Sequence, residues 1–236
     1  MTTSGTATFN LDLNSLVEEA FERCGEELRT GYDLRTARRS LNLLTIEWAN
    51  RGINLWTLEQ GSIAMVAGTI SYNLPVDTID LLDTIMRTGS GTTQADIGVF
   101  RISASSYSTI PNKNVTGRPT QVWIDRQSGA TDPSSGIMYP TVNVWPVPDV
   151  STYTLVYWRL RRIQDIGRAG TLTPDIPFRF LPALVAGLAF YLSLKLPGAV
   201  ERIPLLKGEY GEQMTLAMEE DREKASLYIV PRIARI

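Results

Sequence analysis

A run of apolar residues near the C-terminal end constrains the fold of this 236-residue chain more than any other feature. In Leu181–Leu192 every side chain is apolar, apart from the phenol hydroxyl of Tyr191. A helix needs about 20 apolar residues to cross a bilayer, and Arg179 and Lys195 bracket this run too closely for that. The run therefore predicts a buried core helix with Pro182 in its first turn. Such a helix must be covered on several sides, by its own chain or by a neighbouring subunit.

Small residues in this run predict close helix packing. Ala183, Ala186 and Gly187 leave room for another helix to approach the backbone. Phe190, from the same run, and Trp48, from an earlier apolar pattern, supply large side chains that can fill the space between helices. These five residues are the candidates for packing within a bundle or between subunits.

Two amphipathic helices are predicted within residues 14–51, because apolar residues recur there with the period of a helix. A Ser-x-x-Glu pattern at 15–18 predicts a capping box at the start of the first helix. Gly31 is expected to end that helix, Asp33 to cap the second and Gly52 to end it. The apolar positions are Leu13, Leu16, Val17, Ala20, Phe21, Cys24 and Leu28, then Leu34, Ala37, Leu41, Leu44 and Trp48.

From about residue 56 to residue 170 the apolar period changes from 3.6 to 2, which is typical of strands. The segments between these runs are rich in Gly, Pro, Asn and Ser, as turns are. This pattern predicts a small antiparallel β domain with long loops. The predicted strands lie within 62–75, which holds two strands around Gly68, and within 83–87, 120–126, 139–146 and 151–162.

The helical period returns from Pro174, and Pro204 is placed to open a last helix. The chain is therefore predicted to have an α+β fold. In that fold, N- and C-terminal helices build a bundle, an antiparallel β domain is inserted between them, and an extended tail follows. The predicted segments are a helical hairpin at 1–55, the β domain at 56–173, the C-terminal helices at 174–227 and the tail at 228–236.

Composition argues against several classes of function. Histidine is absent and Cys24 is the single cysteine, so a His-dependent triad, a structural zinc site and an intrachain disulfide are not expected. We predict no catalytic, cofactor-binding or metal-binding residue, and no enzyme activity. Catalysis by carboxylates stays open in principle, with Asp80, Asp83 and Glu219 as the residues to replace.

The net charge of −2 does not indicate a general affinity for nucleic acid or for an anionic membrane. The N-terminus does not have the pattern of a secretory signal.

Two basic segments are candidates for contact with phosphates. Arg35, Arg38 and Arg39 lie along one flank of the second predicted helix, where salt bridges to another subunit are the other interpretation. Arg159 and Arg161 alternate with apolar residues on a predicted strand. For this pair the alternative is a half-buried strand with one wet face.

Two further polar segments have ordinary interpretations. The loop at 88–96 is rich in Gly and Thr, but it lacks the lysine of a phosphate-binding loop and is predicted to be a flexible connection. The stretch EEDREK at 219–224 places its carboxylates around a helix rather than at one point. It therefore predicts a solvated face or a subunit contact instead of a metal site.

The last nine residues, YIVPRIARI, are too apolar for a tail that never docks. Such a segment can add a strand to a partner or fill a groove on it. We therefore predict that this tail binds a partner through Tyr228, Ile229, Val230, Pro231, Arg232, Ile233, Ala234, Arg235 and Ile236.

Four stretches in a fixed order resemble the head-to-tail adaptor proteins of tailed bacteriophages, in particular the tail tubular protein A-like adaptors of short-tailed phages. They are LRTARRSLNLLTIEWANRGINLW at 34–56, GTISYNLPVDTIDL at 68–81, GRPTQVWIDR at 117–126 and VNVWPVPD at 142–149. An alanine-rich helix entered through PDIP at 174–177 agrees as well. The resemblance extends from about Leu13 to Lys224.

This resemblance implies a homo-oligomeric ring, usually dodecameric, located in the virion at the head-tail interface. The ring would lie beneath the portal protein, with the C-terminal tail reaching the portal and the β domain facing the tail nozzle. Double-stranded DNA would pass through its channel without sequence-specific binding, and neither a cofactor nor a membrane is implied.

The alternative is a non-enzymatic β-domain module that binds a cell-surface glycan or protein. Exposed aromatic side chains would carry such binding, and the candidates are Tyr139, Trp145, Tyr153 and Trp158.

Overall fold

The computed structural model describes residues 5–29, 31–126, 136, 138–167, 169 and 171–222. Helices stand at both ends of this part of the chain and strands in the middle, so the predicted α+β class is confirmed. The α-helices are α1 (Leu13–Cys24), α2 (Gly31–Arg51), α3 (Ala104–Ser108), α4 (Leu181–Ser193) and α5 (Ile203–Glu220). The strands are β1 (Leu58–Ala64), β2 (Ser71–Asn73), β3 (Thr78–Thr88), β4 (Ala95–Gly98), β5 (Phe100–Arg101), β6 (Gln121–Asp125), β7 (Thr141–Trp145) and β8 (Thr154–Arg161).

The chain forms two compact units. The helical unit comprises Met1–Trp56 and Ile163–Ile236, and the β unit comprises Thr57–Arg162. The chain returns to the helical unit after Arg162, earlier than the change of pattern at 173 indicates. Ile163 and Ile166 bury their side chains in the helical core, which explains the early return.

Helix α4 is the centre of the helical unit and packs against α1, α2 and α5. Its residues Leu184, Ala186, Leu188 and Ala189 have no solvent-exposed surface. The apolar run of the sequence is thus covered by helices of the same chain, and burial of α4 does not require a neighbouring subunit. In the part of the chain that the structure describes, no helix combines the length and apolarity that a bilayer-spanning segment needs.

The ends of α1 differ from the sequence-based expectation. The N-cap is Asp12, whose side chain accepts a hydrogen bond from the Ser15 amide at 2.8 Å, so the capping box at 15–18 is wrong. Gly25 ends the helix with φ 78°, the left-handed conformation that glycine adopts most easily. Gly31 is instead the first residue of α2, and Asp33 lies in the first turn of that helix.

The other helix boundaries agree with their sequence signals. Gly52 follows α2 with φ 87°, and the Ile53 amide donates to the Trp48 carbonyl at 3.1 Å. Pro182 and Pro204 lie in the first turns of α4 and α5. Proline suits these positions because a first-turn N–H has no acceptor within the helix.

Gly187 is the point of closest approach in the bundle. A Cβ atom at this position would lie 2.8 Å from Leu44 Cδ2 of α2 and 2.9 Å from Tyr210 Cε2 of α5. Both distances are shorter than normal carbon–carbon contacts. The absence of a side chain at Gly187 therefore lets α2 and α5 contact α4 at the same level.

A group of polar side chains joins the same three helices around the Glu47 carboxylate of α2. The Tyr191 hydroxyl donates to Glu47 at 2.6 Å, and the Tyr210 hydroxyl donates to it at 3.3 Å. Trp48 Nε1 donates to the Tyr210 oxygen at 3.3 Å, and Arg51 pairs with Glu47 at 2.5 Å. Burial raises the pKa of Tyr210 to about 12, and burial together with the Glu47 carboxylate raises the pKa of Tyr191.

The β unit contains two four-stranded sheets. The first has the order β1-β8-β3-β4 and is antiparallel throughout, and the second has the order β2-β7-β6-β5. Only β5 and β6 pair in parallel among the strands of the described residues. A core of buried apolar side chains, most of them from the strands, holds the unit together. It includes Met65, Leu74, Leu81, Met86, Val122, Val142, Val144 and Leu155.

The predicted strands are present, but three short elements were not predicted from the sequence. Strands β4 and β5 and helix α3 occupy segments whose composition indicates turns. The loop interpretation of 88–96 is wrong at its two ends, because Thr88 is the last residue of β3 and Ala95 and Asp96 begin β4, which pairs with β3. Arg87 and Asp96 reinforce this pairing through two hydrogen bonds of 2.8 Å.

We expect Gly187→Leu to destabilise the helical unit by about 3 kcal/mol or more, because the new side chain overpacks the junction of three helices. Denaturant unfolding followed by far-UV circular dichroism measures this change. Gly211→Ala is the matched control, since nothing lies within 4 Å of a Cβ atom there and alanine favours the helix. A Gly187→Leu variant as stable as the wild type would contradict the close-packing account.

We also expect the free energy of unfolding to fall as the pH rises from about 10, the ordinary tyrosine value, towards about 12. The folded state holds the Tyr210 proton more tightly than the unfolded chain, so this stabilisation is complete below pH about 10 and is lost above it. Tyr210→Phe removes the titrating group and should give a shallower fall. Tyr32→Phe, at an exposed side chain, should keep the wild-type slope. Equal slopes for wild type and Tyr210→Phe would contradict the assignment of this pH dependence to Tyr210.

Candidate assembly surfaces

Cys24 plays a structural part in the helical unit. Its thiol is buried and donates to the Ala189 carbonyl at 3.3 Å, which links α1 to α4. Burial raises the pKa of the Cys24 thiol to about 11. The thiol is therefore protonated at neutral pH, the form that is not nucleophilic.

The candidate carboxylates do not form a paired acid-base site. Asp80 lies within the β unit and forms ion pairs with Arg101 at 2.9 Å and Arg126 at 3.3 Å. Asp83 is exposed on the same strand, and Glu219 is exposed on α5 of the other unit. No group of three metal-ligating side chains occurs within the residues described above.

Arg159 and Arg161 neither line a phosphate site nor lie on a wet face. Their side chains are only 11% and 10% exposed. Arg159 pairs with Glu59 of β1 at 2.7 Å and with Asp77 at 2.5 Å, and Arg161 pairs with Glu59 at 2.7 Å. Both guanidinium groups are thus neutralised by carboxylates of the same unit. The phosphate interpretation is therefore wrong. The strand is half-buried, as in the alternative, but its exposed side chain is Trp158 and not the arginines. Sequence alone does not show which acids lie opposite the two arginines.

The charged stretch at 219–224 is partly fixed to its own chain. The Asp221 carboxylate accepts hydrogen bonds from the amides of Asn54 and Leu55, each at 2.9 Å. Glu220 forms an ion pair with Arg179, just before α4. These two carboxylates therefore make contacts within the chain, which corrects the solvated-face interpretation for them. Asp221 holds the chain where it leaves α2, and Glu220 ties the end of α5 to the start of α4. The local sequence carries no signal for either contact.

The four aromatic candidates for a binding module do not form a common surface. Trp145 is on the second sheet, and its Nε1 donates to the Asn112 carbonyl at 3.2 Å. Tyr153 packs against the β core, while Trp158 is on the first sheet and is 47% exposed. Tyr139 is half-buried just before β7. Among the described aromatic pairs, no ring contact joins any two of these four residues.

The candidate packing residues lie inside the helical unit of one chain. Ala183, Ala186 and Trp48 are buried in its core, and Gly187 contacts Leu44 and Tyr210, as described above. Phe190 is partly exposed, and its ring stacks on Tyr210 with centroids 6.1 Å apart. The structure therefore brings these residues together around α4.

A groove with an acidic rim lies beside α1 and the start of α4. We call it the acidic groove, and its volume is about 630 Å³. Phe9 and Phe178 are 77% and 68% exposed, so its apolar wall is open to solvent. Its apolar lining residues are Phe9, Leu11, Phe178, Leu181, Pro182 and Val185, and its polar lining residues, all from α1, are Ser15, Glu18, Glu19, Glu22 and Arg23.

The outer side of α2 carries the opposite charge. We call this surface the basic face, and a shallow pocket of about 460 Å³ runs along it. It comprises Arg35, Arg38, Arg39, Asn42, Leu43 and Ile46. The sequence identified the three arginines as one flank of a helix, and the structure places them together. It did not identify the acidic groove, whose two phenylalanines are far apart in the sequence.

The predicted partner-binding tail, Tyr228–Ile236, lies outside the residues that the structure describes.

The model of the SU10 adaptor protein family matches residues 12–231, which include both units. A search of individual curated proteins finds no match. Because the family match extends over nearly the whole chain, this protein belongs to the SU10 adaptor protein family and is a structural adaptor of the phage head-tail junction.

Proposed function

We propose that the protein assembles into a ring that joins the portal to the tail nozzle and continues the channel for double-stranded DNA. The ring is dodecameric, as in the tail tubular protein A-like adaptors that the sequence resembles. The observation that carries this proposal is the family match over residues 12–231. A subunit of such a ring needs a stable folded core and outer surfaces that contact its neighbours, and the helical unit has both.

The charge of the chain supports a channel that does not hold DNA tightly. The net charge is −2, and the buried guanidinium groups of Arg159 and Arg161 are already neutralised by Glu59 and Asp77. Each phosphate contact by a free cation would strengthen binding to DNA. A subunit with few such contacts suits DNA that must slide during packaging and ejection.

The C-terminal tail is the proposed portal-binding segment. Its sequence combines apolar side chains with two arginines, Arg232 and Arg235. Apolar residues in an extended segment can fill a groove or extend a sheet on a partner, and charged residues can fix the register. The portal is the partner that the adaptor resemblance implies for this segment.

We expect deletion of Tyr228–Ile236 to abolish binding to the portal of the same phage while leaving the subunit folded. The deleted residues follow the helical core, so the thermal melt should be unchanged. Mass photometry of mixtures with purified portal measures the complex, and electron microscopy shows whether it is a ring. A control in which a Gly-Ser segment of equal length replaces the tail should also fail to bind. A truncated chain that docks on the portal as the wild type does would contradict the role of the tail.

A further inference from the structure

The helical unit presents two outer surfaces that match each other in chemistry. The acidic groove combines exposed apolar side chains with Glu18, Glu19 and Glu22. The basic face combines Leu43 and Ile46, which are 51% and 42% exposed, with three arginines. Each surface thus has an apolar part that water contacts unfavourably. The groove is acidic on balance, because Arg23 of its lining pairs with Glu19 and leaves the charges of Glu18 and Glu22.

The charges on these surfaces are mostly unpaired within the chain. Glu19 pairs with Arg23, whereas Glu18 and Glu22 have no ion-pair partner among the described residues. Arg35 donates to the Gly31 carbonyl of its own helix at 3.3 Å. Arg38 and Arg39 likewise have no carboxylate partner in the described parts of the chain. These groups are therefore available to a binding partner.

From this match we infer that the acidic groove of one copy receives the basic face of the next copy. The inference rests on the ring of the proposed function. The contact is heterologous, since it joins two different surfaces of the same chain. Each copy then uses its groove on one neighbour and its basic face on the other, as a closed ring requires. Apolar contact supplies affinity, and the opposite charges determine which surfaces meet.

A second copy accounts for both surfaces better than the other possible occupants. A symmetric contact would place arginines against arginines, which is electrostatically unfavourable. DNA phosphates would pair with the arginines but would leave Leu43 and Ile46 without an apolar partner. The basic C-terminal tail matches the groove in charge, yet it would leave the basic face uncovered.

Charge reversal in two separate variants tests this contact. The first variant, Glu18→Arg with Glu22→Arg, reverses the groove, and the second, Arg38→Glu with Arg39→Glu, reverses the basic face. The four positions lie on helix surfaces, so the thermal melts should stay close to wild type. Lys207→Glu with Glu212→Arg, at exposed positions of α5 outside both surfaces, is the matched control. Mass photometry with and without portal measures assembly.

We expect each variant alone to lose ring assembly, because like charges then face each other at every contact. An equal mixture of the two should restore rings of wild-type mass, because the copies can alternate with opposite charges at each contact. A single chain that carries all four changes should also assemble, and the α5 control should behave as wild type.

Three results would overturn this inference. One is normal assembly of each variant alone, and another is a mixture that fails to assemble although both variants are folded. The third is a groove variant that forms rings but no longer binds the portal, which would assign the groove to the tail. In each of these cases the wild type still forms rings with portal. If the wild type itself does not, the proposed function fails instead.

Discussion

Burial of α4 by three helices of the same chain is the constraint on which the rest of the helical unit depends. This helix is apolar on nearly all sides, and leaving it exposed would cost about 25 cal/mol for every square ångström of apolar surface. Gly187 makes the arrangement possible, because it lets Leu44 and Tyr210 reach the α4 backbone from two helices. The hydrogen bonds around Glu47 then fix the positions of α2 and α5.

A core that is complete in one chain changes how assembly can occur. From the sequence alone, a neighbouring subunit could cover part of α4, which would have made folding and assembly a single step. In the contact that we propose, assembly uses outer surfaces with exposed apolar side chains, namely the acidic groove with Phe9 and Phe178 and the basic face with Leu43 and Ile46. A subunit with a complete core can fold before it meets a partner, and the proposed association then depends on apolar contact and on charge.

The parts of the fold that sequence predicted are those where local pattern decides the structure. The apolar period found α1, α2, α4 and α5, and alternation found three strands of each sheet, with β4 and β5 missed. Local rules failed where two signals competed. Gly25 and Gly31 are both suitable residues to end α1, and the structure uses Gly25. Local rules also failed where the partner is distant in sequence. Asp221 with Asn54, Arg159 with Asp77, and Phe9 beside Phe178 are such cases. These contacts follow from the fold and leave no local trace in the sequence.

Hydrogen exchange of the free subunit tests the central claim most directly. The amides of Leu181–Ser193 should be among the most protected in the chain at concentrations where the protein is monomeric, because α1, α2 and α5 cover them without a second copy. Their protection should change little when the ring forms with portal. Rapid exchange of α4 in the monomer, with protection gained only on assembly, would contradict the account.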